Sequence, residues 1–138
     1  MKIHLFVIGL FLLVVLALTA CGGSANSASK TLDVTLTDFA FTPNSFSVPA
    51  GATITLSALN NGASLHSLLI LKKGVRIQSH FLDTDRVNVF WGTDQILPGL
   101  SINATFVAPA DPGEYQIVCG VSGHFEAGMI AKLIVLKP

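Results

Sequence analysis

The segment TLDVTLT, residues 31–37, decides the fold class, because apolar and polar residues alternate along it. Alternation with a period of two places every second side chain on the same face of a β-strand, whereas an amphipathic helix repeats about every 3.6 residues. The segment TITLSA, residues 53–58, has the same period of two. Both segments are therefore predicted to be strands with one buried face.

Turn signals and further apolar runs extend this pattern through the rest of the chain. The turns are predicted at Pro49-Ala50-Gly51, Asn60-Asn61-Gly62, Lys72-Lys73-Gly74 and Asp111-Pro112-Gly113. Further strands are predicted over residues 65–71, 102–107, 115–118 and 129–136. Residues 75–98 have no clean period and receive no assignment. Frequent turns without a convincing amphipathic helix predict one all-β domain, a β-sandwich, over residues 31–138.

Residues 1–20 are predicted to be a signal peptide. Lys2 precedes an apolar run from Leu5 to Leu18, which is shorter than the roughly 20 residues of a spanning helix. The run ends in Leu18-Thr19-Ala20-Cys21, which resembles the lipobox of bacterial lipoproteins, where the cysteine becomes the acylated first residue. An ordinary cleaved signal and an uncleaved anchor are the alternatives.

Residues 21–30 are predicted to hold the lipid-attachment residue, Cys21, and a flexible linker. The stretch GGSANSAS, residues 22–29, is small and polar and cannot form a core. We therefore expect an exported protein, tethered by an N-terminal lipid to the outer face of the cytoplasmic membrane, on its periplasmic or extracellular side.

The charge of the chain argues against nucleic acid as a partner. Eight basic and eight acidic residues give a formal net charge of zero, and no basic block is present. The membrane is expected as a partner through the lipid anchor alone, and the protein is expected to be a monomer.

The segment VCGVSGHFEAGM, residues 118–129, carries the candidate chemistry. Cys119, His124 and Met129 are evenly spaced along it, and the intervening glycines permit tight turns that bring side chains together. If Cys21 carries lipid, Cys119 has no disulfide partner, and it is either a buried small hydrophobe or a metal ligand. Thiolate and thioether ligands together favour copper, whereas zinc sites rarely use methionine.

A blue copper centre needs a second imidazole besides His124. If the signal peptide is removed, the remaining histidines are His66 and His80. His66 is favoured, because it follows the Asn60-Asn61-Gly62 turn at the head of an apolar run. His80 lies in the unassigned region and is interpreted as a surface histidine.

The pattern of Tyr115, Cys119, Gly123-His124 and Gly128-Met129, preceded by Gly-Ala-Ser-Leu-His at residues 62–66, resembles the cupredoxins, the small blue copper proteins. The even spacings and the long insert before Cys119 resemble the auracyanin branch most. The resemblance implies a Greek-key β-sandwich holding one type 1 copper ion. It also implies a ligand set, with three equatorial ligands and an axial methionine: His66, Cys119, His124 and Met129.

Three positions depart from the cupredoxin pattern. Ser67 stands where many members have an asparagine that ties the two ligand loops together, and Gly120 stands where they have serine or threonine. Ser122 replaces a proline. The resemblance therefore implies a shorter or absent side-chain tie, with a bond from Ser67 to a backbone group still open. Such bonds tune the potential of a copper site.

The function implied is one-electron transfer between membrane-bound redox complexes, one acting as donor and one as acceptor. The alternative is a copper-binding module for metal delivery or storage, and a third option is a cupredoxin fold whose site stays empty. An enzyme is not expected. After His66 and His124 are used, His80 alone cannot build a second copper site, and a dinuclear centre needs a second cysteine ligand beside Cys119.

A partner-docking surface is predicted around His124. Val121, Phe125 and Ala127 are apolar neighbours on the same loop, and exposed apolar patches commonly mark docking surfaces. The alternative for Phe125 is packing into the core. Glu126, beside them, is interpreted as a solvated charge.

Overall fold

The computed structural model describes residues 27–138, so the predicted signal peptide and Cys21 lie outside the described part of the chain. Within that part, nine strands and one 3-10 helix follow one another. They are β1 Thr31–Thr37, β2 Ala40–Thr42, β3 Ser45–Pro49, β4 Thr53–Asn60, β5 Leu69–Leu71, the 3-10 helix Asp83–Asn88, β6 Val89–Gly92, β7 Ser101–Val107, β8 Gly113–Val118 and β9 Ile130–Leu136. Residues 27–138 contain no helix with the length and hydropathy of a membrane span.

The strands form two sheets. One has the order β2-β1-β4-β7 and the other the order β3-β9-β8-β5-β6. The chain passes from the first sheet to the second between β2 and β3, and it returns between β3 and β4. Within the sheets, β1 pairs in parallel with β4, and β3 pairs in parallel with β9. The predicted all-β sandwich is confirmed.

The main core lies between the two sheets and follows the period of two. In β1, Leu32, Val34 and Leu36 are buried, and in β4 the buried side chains include Ile54 and Leu56. From the opposite sheet, β8 and β9 contribute Tyr115, Ile117, Leu133 and Val135. Each fully buried aliphatic side chain stabilises the fold by roughly 1.5–3 kcal/mol relative to exposure.

A second apolar cluster covers the other face of the β3-β9-β8-β5-β6 sheet. It is formed by Leu69, Leu71, Phe81, Val118 and Phe125. All three residues of β5 are buried, since Leu69 and Leu71 belong to this cluster and Ile70 belongs to the main core. A strand buried on both faces loses its alternation in sequence.

Several strand bounds differ from the prediction. The strand predicted over residues 65–71 is shorter, because His66 forms only an isolated bridge to Ile96 before β5 begins at Leu69. The strands β2, β3 and β6 were not predicted. The strands β2 and β6 have only three and four residues, too few to show a period. The five residues of β3 do alternate, with Phe46 and Val48 buried, and this short signal was overlooked. The unassigned region contains the 3-10 helix and β6.

Candidate metal centre

A buried asparagine at the end of β4, Asn60, holds the loop that carries His66. The Asn60 side chain donates to the backbone oxygens of Ser64 and Ile96, both at 2.8 Å, and accepts the Gly62 N–H at 2.9 Å. The backbone of His66 exchanges two hydrogen bonds with Ile96, of 3.2 and 2.7 Å. These bonds fix the loop that presents His66, whose side chain is fully buried.

The other predicted ligands lie on the loop between β8 and β9. The Cys119 N–H donates to the Met129 oxygen at 3.3 Å, and the Met129 N–H donates to the His124 oxygen at 2.9 Å. Gly123 and Gly128 have φ values of 82° and 96°, in the left-handed region that favours glycine. The loop thereby folds back on itself, and Cys119, His124 and Met129 are all buried.

Three predicted ligands meet at one point. The Nδ1 atoms of His66 and His124 lie 3.1 Å apart, and the Cys119 Sγ lies 3.6 Å from Nδ1 of His124 and 4.0 Å from Nδ1 of His66. Donors bound to one ion at about 2.0 Å for nitrogen and 2.3 Å for sulfur stand roughly 3–4 Å apart. The three donor atoms therefore fit a single metal ion. Met129 is fully buried and belongs to the same core cluster as Cys119.

The two ligand loops are tied through Ser67. Its Oγ accepts the Gly120 N–H at 3.0 Å, and its own N–H donates to the Cys119 sulfur at 3.5 Å. A Cβ on Gly120 would lie 2.5 Å from Cδ1 of Leu69 and 3.2 Å from the Ser67 Oγ, so a larger residue here would have to displace the buried Leu69 side chain. Ser67 and Gly120, two of the three departing positions, thus form a side-chain-to-backbone tie.

Asp38 contacts the site and was missed by the sequence reasoning. Its Oδ1 lies 3.3 Å from Nε2 of His66, and it also accepts the N–H groups of Ala63 and Ser64, each at 3.1 Å. The Ala63 N–H is the main cause that lowers the pKa of Asp38. Burial lowers the pKa of His66, which favours the neutral imidazole that a metal requires. Asp38 lies 28 residues before His66, in a turn with no motif.

The surroundings of His124 correct one docking residue. Phe125 is only 4% exposed and belongs to the second apolar cluster, so its interpretation as a surface residue is wrong. Neighbouring side chains on this loop point to opposite sides, His124 toward the other ligands and Phe125 toward β5. Val121 is half-buried and Ala127 is exposed. The exposed side chain of Phe39 packs edge-on against His124, with ring centroids 5.2 Å apart. The sequence did not predict this contact.

The remaining candidate side chains lie at the surface. His80 and Glu126 are both exposed. Among the described residues, the one cluster of three or more metal-binding His, Cys, Asp or Glu side chains is His66, Cys119 and His124.

Comparisons with known proteins agree with this geometry. A family model described as a Cupredoxin-like domain matches residues 10–135. Auracyanin-A of Chloroflexus aurantiacus is 29% identical over an alignment of 163 positions that covers 98% of this chain and 99% of the relative. The copper-resistant cuproprotein CopI of Rubrivivax gelatinosus is 27% identical over 118 residues, covering 82% of this chain and 70% of the relative.

A solved structure resembles the fold closely. The crystal structure of dithionite-reduced auracyanin from Roseiflexus castenholzii is 31% identical, with a TM-score of 0.68, and covers 80% of this chain and 99% of that one. The chain belongs to the cupredoxin family. Within that family it is similar to the auracyanins, as the sequence predicted, and its cofactor is copper.

Proposed function

We propose that the protein is a one-electron carrier whose single copper ion would be held by His66, Cys119, His124 and Met129. The observation that carries this proposal is the enclosed donor set. His66, Cys119 and Met129 are fully buried, and His124 is 8% exposed. Such a site offers no open coordination position for a substrate, unlike a catalytic metal site.

The scaffold also suits electron transfer. Copper supplies a one-electron change between its cuprous and cupric states. The protein's part is to hold the donors still, and it does so from two loops that are joined by the bond between Ser67 and Gly120. Because the loops are fixed by backbone hydrogen bonds, the ligands need little movement when the oxidation state changes. We assign the protein no catalytic reaction of its own.

We further propose that the electron passes at His124, the ligand nearest the surface. Phe39, 47% exposed, packs against its ring, and Ala127 is exposed on the same loop. Leu97 is a further exposed apolar side chain, and it follows Ile96, the bridge partner of His66. Small interfaces, below about 1,200 Å² in total, suit redox partners that must separate quickly.

The partners proposed are membrane-bound redox complexes, a donor and an acceptor. A lipid on Cys21 would keep the exported domain at the outer face of the cytoplasmic membrane, where such complexes are reached by short diffusion. This part of the proposal is supported by the sequence of residues 1–21, with its apolar run and its Leu-Thr-Ala-Cys end.

A second candidate function is copper delivery or storage. The similarity to a relative named a copper-resistant cuproprotein favours it. Both functions require the same ligands, but they differ in what happens on reduction. A carrier keeps its copper through many cycles, whereas a delivery module releases it.

Redox cycling of the copper-loaded protein tests the proposal. Loading with Cu(II) is expected to give the intense visible thiolate-to-copper absorption of a blue site. Repeated reduction and reoxidation, with a cuprous chelator present, should return the same absorbance each time. Cys119→Ser is the control that removes the colour, since it removes the thiolate. Copper transfer to the chelator on each reduction would overturn the carrier function in favour of delivery.

A further inference from the structure

We propose that Asp38 is a positioning residue for the copper site, holding His66 with Nδ1 toward the metal and favouring the cupric state through its negative charge. The inference rests on the copper-binding function proposed above. It assigns a role to a side chain that lies in the turn between β1 and β2, outside both ligand loops.

The orientation of the imidazole follows from its two ring nitrogens. Nδ1 of His66 faces the other donors, 3.1 Å from Nδ1 of His124, and Nε2 lies 3.3 Å from the Asp38 carboxylate. A carboxylate accepts a hydrogen bond and cannot donate one, so it selects the tautomer with the proton on Nε2. That tautomer leaves Nδ1 free of a proton, as metal binding requires.

The carboxylate is itself held in place. Although the Asp38 side chain is 38% exposed, its Oδ1 accepts the N–H groups of both Ala63 and Ser64. These two residues lie in the loop that leads directly to His66. Asp38 therefore fixes the loop and the ring together, and it is not a freely moving surface acid.

The space for this contact depends on Gly62. A Cβ at this position would lie 2.8 Å from Oδ1 of Asp38 and 2.8 Å from Nε2 of His66. Real Cβ atoms essentially never approach other atoms so closely. Gly62 is not among the glycines with positive φ, so glycine is needed here for the approach of the two side chains and not for the backbone conformation.

The charge of Asp38 gives the expected direction of its effect on the potential. A negative charge that contacts a ligand stabilises the more positive metal ion, and partners of a metal-bound histidine also raise its basicity as a ligand. Removing the charge should therefore raise the reduction potential. The contact joins a fully buried ring to a carboxylate that is 38% exposed, so solvent screens part of the charge.

Two substitutions separate the charge from the hydrogen bond. Asp38→Asn removes the charge but keeps an oxygen acceptor for the same N–H groups, so it should raise the reduction potential and leave the blue absorption nearly unchanged. Asp38→Ala removes both, and should also weaken copper affinity roughly 10–100-fold, as is typical for loss of a ligand's hydrogen-bond partner. Gly62→Ala should also raise the reduction potential and weaken copper affinity, because its methyl group would push the Asp38 carboxylate away from the His66 ring.

The matched control is Asp33→Asn, which removes the same charge from an exposed position on β1. The measurements are the reduction potential by spectroelectrochemistry, the visible spectrum, and the copper affinity by competition with a chelator. Circular dichroism of each copper-free variant checks that it folds. The inference is overturned if the folded Asp38→Asn and Asp33→Asn variants have the same reduction potential, or if the Asp38→Ala variant keeps wild-type copper affinity. A wild-type protein with no blue site would instead defeat the proposed function.

Discussion

Cys119 shows what a residue's surroundings add to its sequence context. Its lone thiol allowed two interpretations, a buried hydrophobe or a metal ligand. The structure shows a fully buried sulfur that lies 3.6 and 4.0 Å from two imidazole nitrogens and accepts the N–H of Ser67. A purely structural cysteine has no need of such neighbours, so the ligand interpretation accounts for the contacts and the burial together.

The bond from Gly120 to Ser67 gives a prediction at the same scale. Ser67→Ala removes the acceptor of the Gly120 N–H, at a position only 4% exposed. Because the Gly120 N–H is itself only partly buried, the loss of this bond should lower the free energy of unfolding by about 0.5–1.5 kcal/mol. The blue absorption should persist, because no ligand is changed. Urea unfolding of the copper-free protein measures the loss.

Ser122→Ala is the matched control for this experiment, because Ser122 is an exposed serine on the neighbouring part of the same loop. Exposed substitutions of this kind usually change stability by less than about 0.5 kcal/mol. Equal unfolding curves for the two alanine variants would show that the tie between the loops contributes nothing to stability.

Individual residues also mark the limit of sequence reasoning. The ligands on the β8–β9 loop could be found because their spacing lies within one segment. Asp38, Asn60 and Phe39 could not, because their contacts with the site join positions that no local pattern connects. Phe39 is also a non-glycine residue with a φ of 67°, which its sequence does not announce.

At the scale of elements, the loop between β8 and β9 has two sides with different tasks. One side presents His124 to the other ligands, and the other side inserts Phe125 into the second apolar cluster. The sequence shows only an apolar residue beside a histidine, and the direction of each side chain depends on backbone turns that the period of two does not describe. For this reason the sequence predicts the Phe125 ring at the surface, although the ring is buried.

Truncation of Phe125 tests whether this side chain anchors the loop. Phe125→Ala should lower the free energy of unfolding by about 3–5 kcal/mol, the usual loss for a buried phenylalanine. Phe39→Ala makes the same chemical change at a ring that is 47% exposed, and should cost far less. Thermal and urea unfolding of both copper-free variants give the comparison. Similar losses for the two variants would contradict the buried position of Phe125.

The region 75–98 shows why one element escaped assignment. Phe81 contributes to the second cluster, while the 3-10 helix Asp83–Asn88 buries no side chain at all. The region 75–98 packs against the sheet through single buried residues, such as Phe81, which are separated by exposed residues. Periodicity can reveal a strand or helix with a continuous buried face, but it cannot reveal a segment held at isolated points.

At the scale of the whole molecule, the sequence predicts the sandwich well because alternation in the long strands is a direct consequence of having one buried face. The strands β1, β4 and β9 each have seven or eight residues with alternating burial. Alternation does not predict the parallel pairings of β1 with β4 and of β3 with β9. They depend on how the chain crosses between sheets, which no local pattern records.

The same architecture explains the position of the copper centre. The end of β4, the bridge before β5 and the loop from β8 to β9 meet at one end of the sandwich. Two loops held by separate strands can place donors far apart in sequence, such as His66 and Cys119, at a fixed separation. The rigid sheets thus hold the site for one ion while most of its ligand atoms are shielded from solvent.

A crystal structure of the copper-loaded protein, with anomalous differences measured at the copper absorption edge, tests the central claim most directly. One copper peak is expected among the three donors, within about 2.0–2.3 Å of Nδ1 of His66, Nδ1 of His124 and Sγ of Cys119. A main peak at His80, or a copper ion not bound by Cys119, would contradict the account.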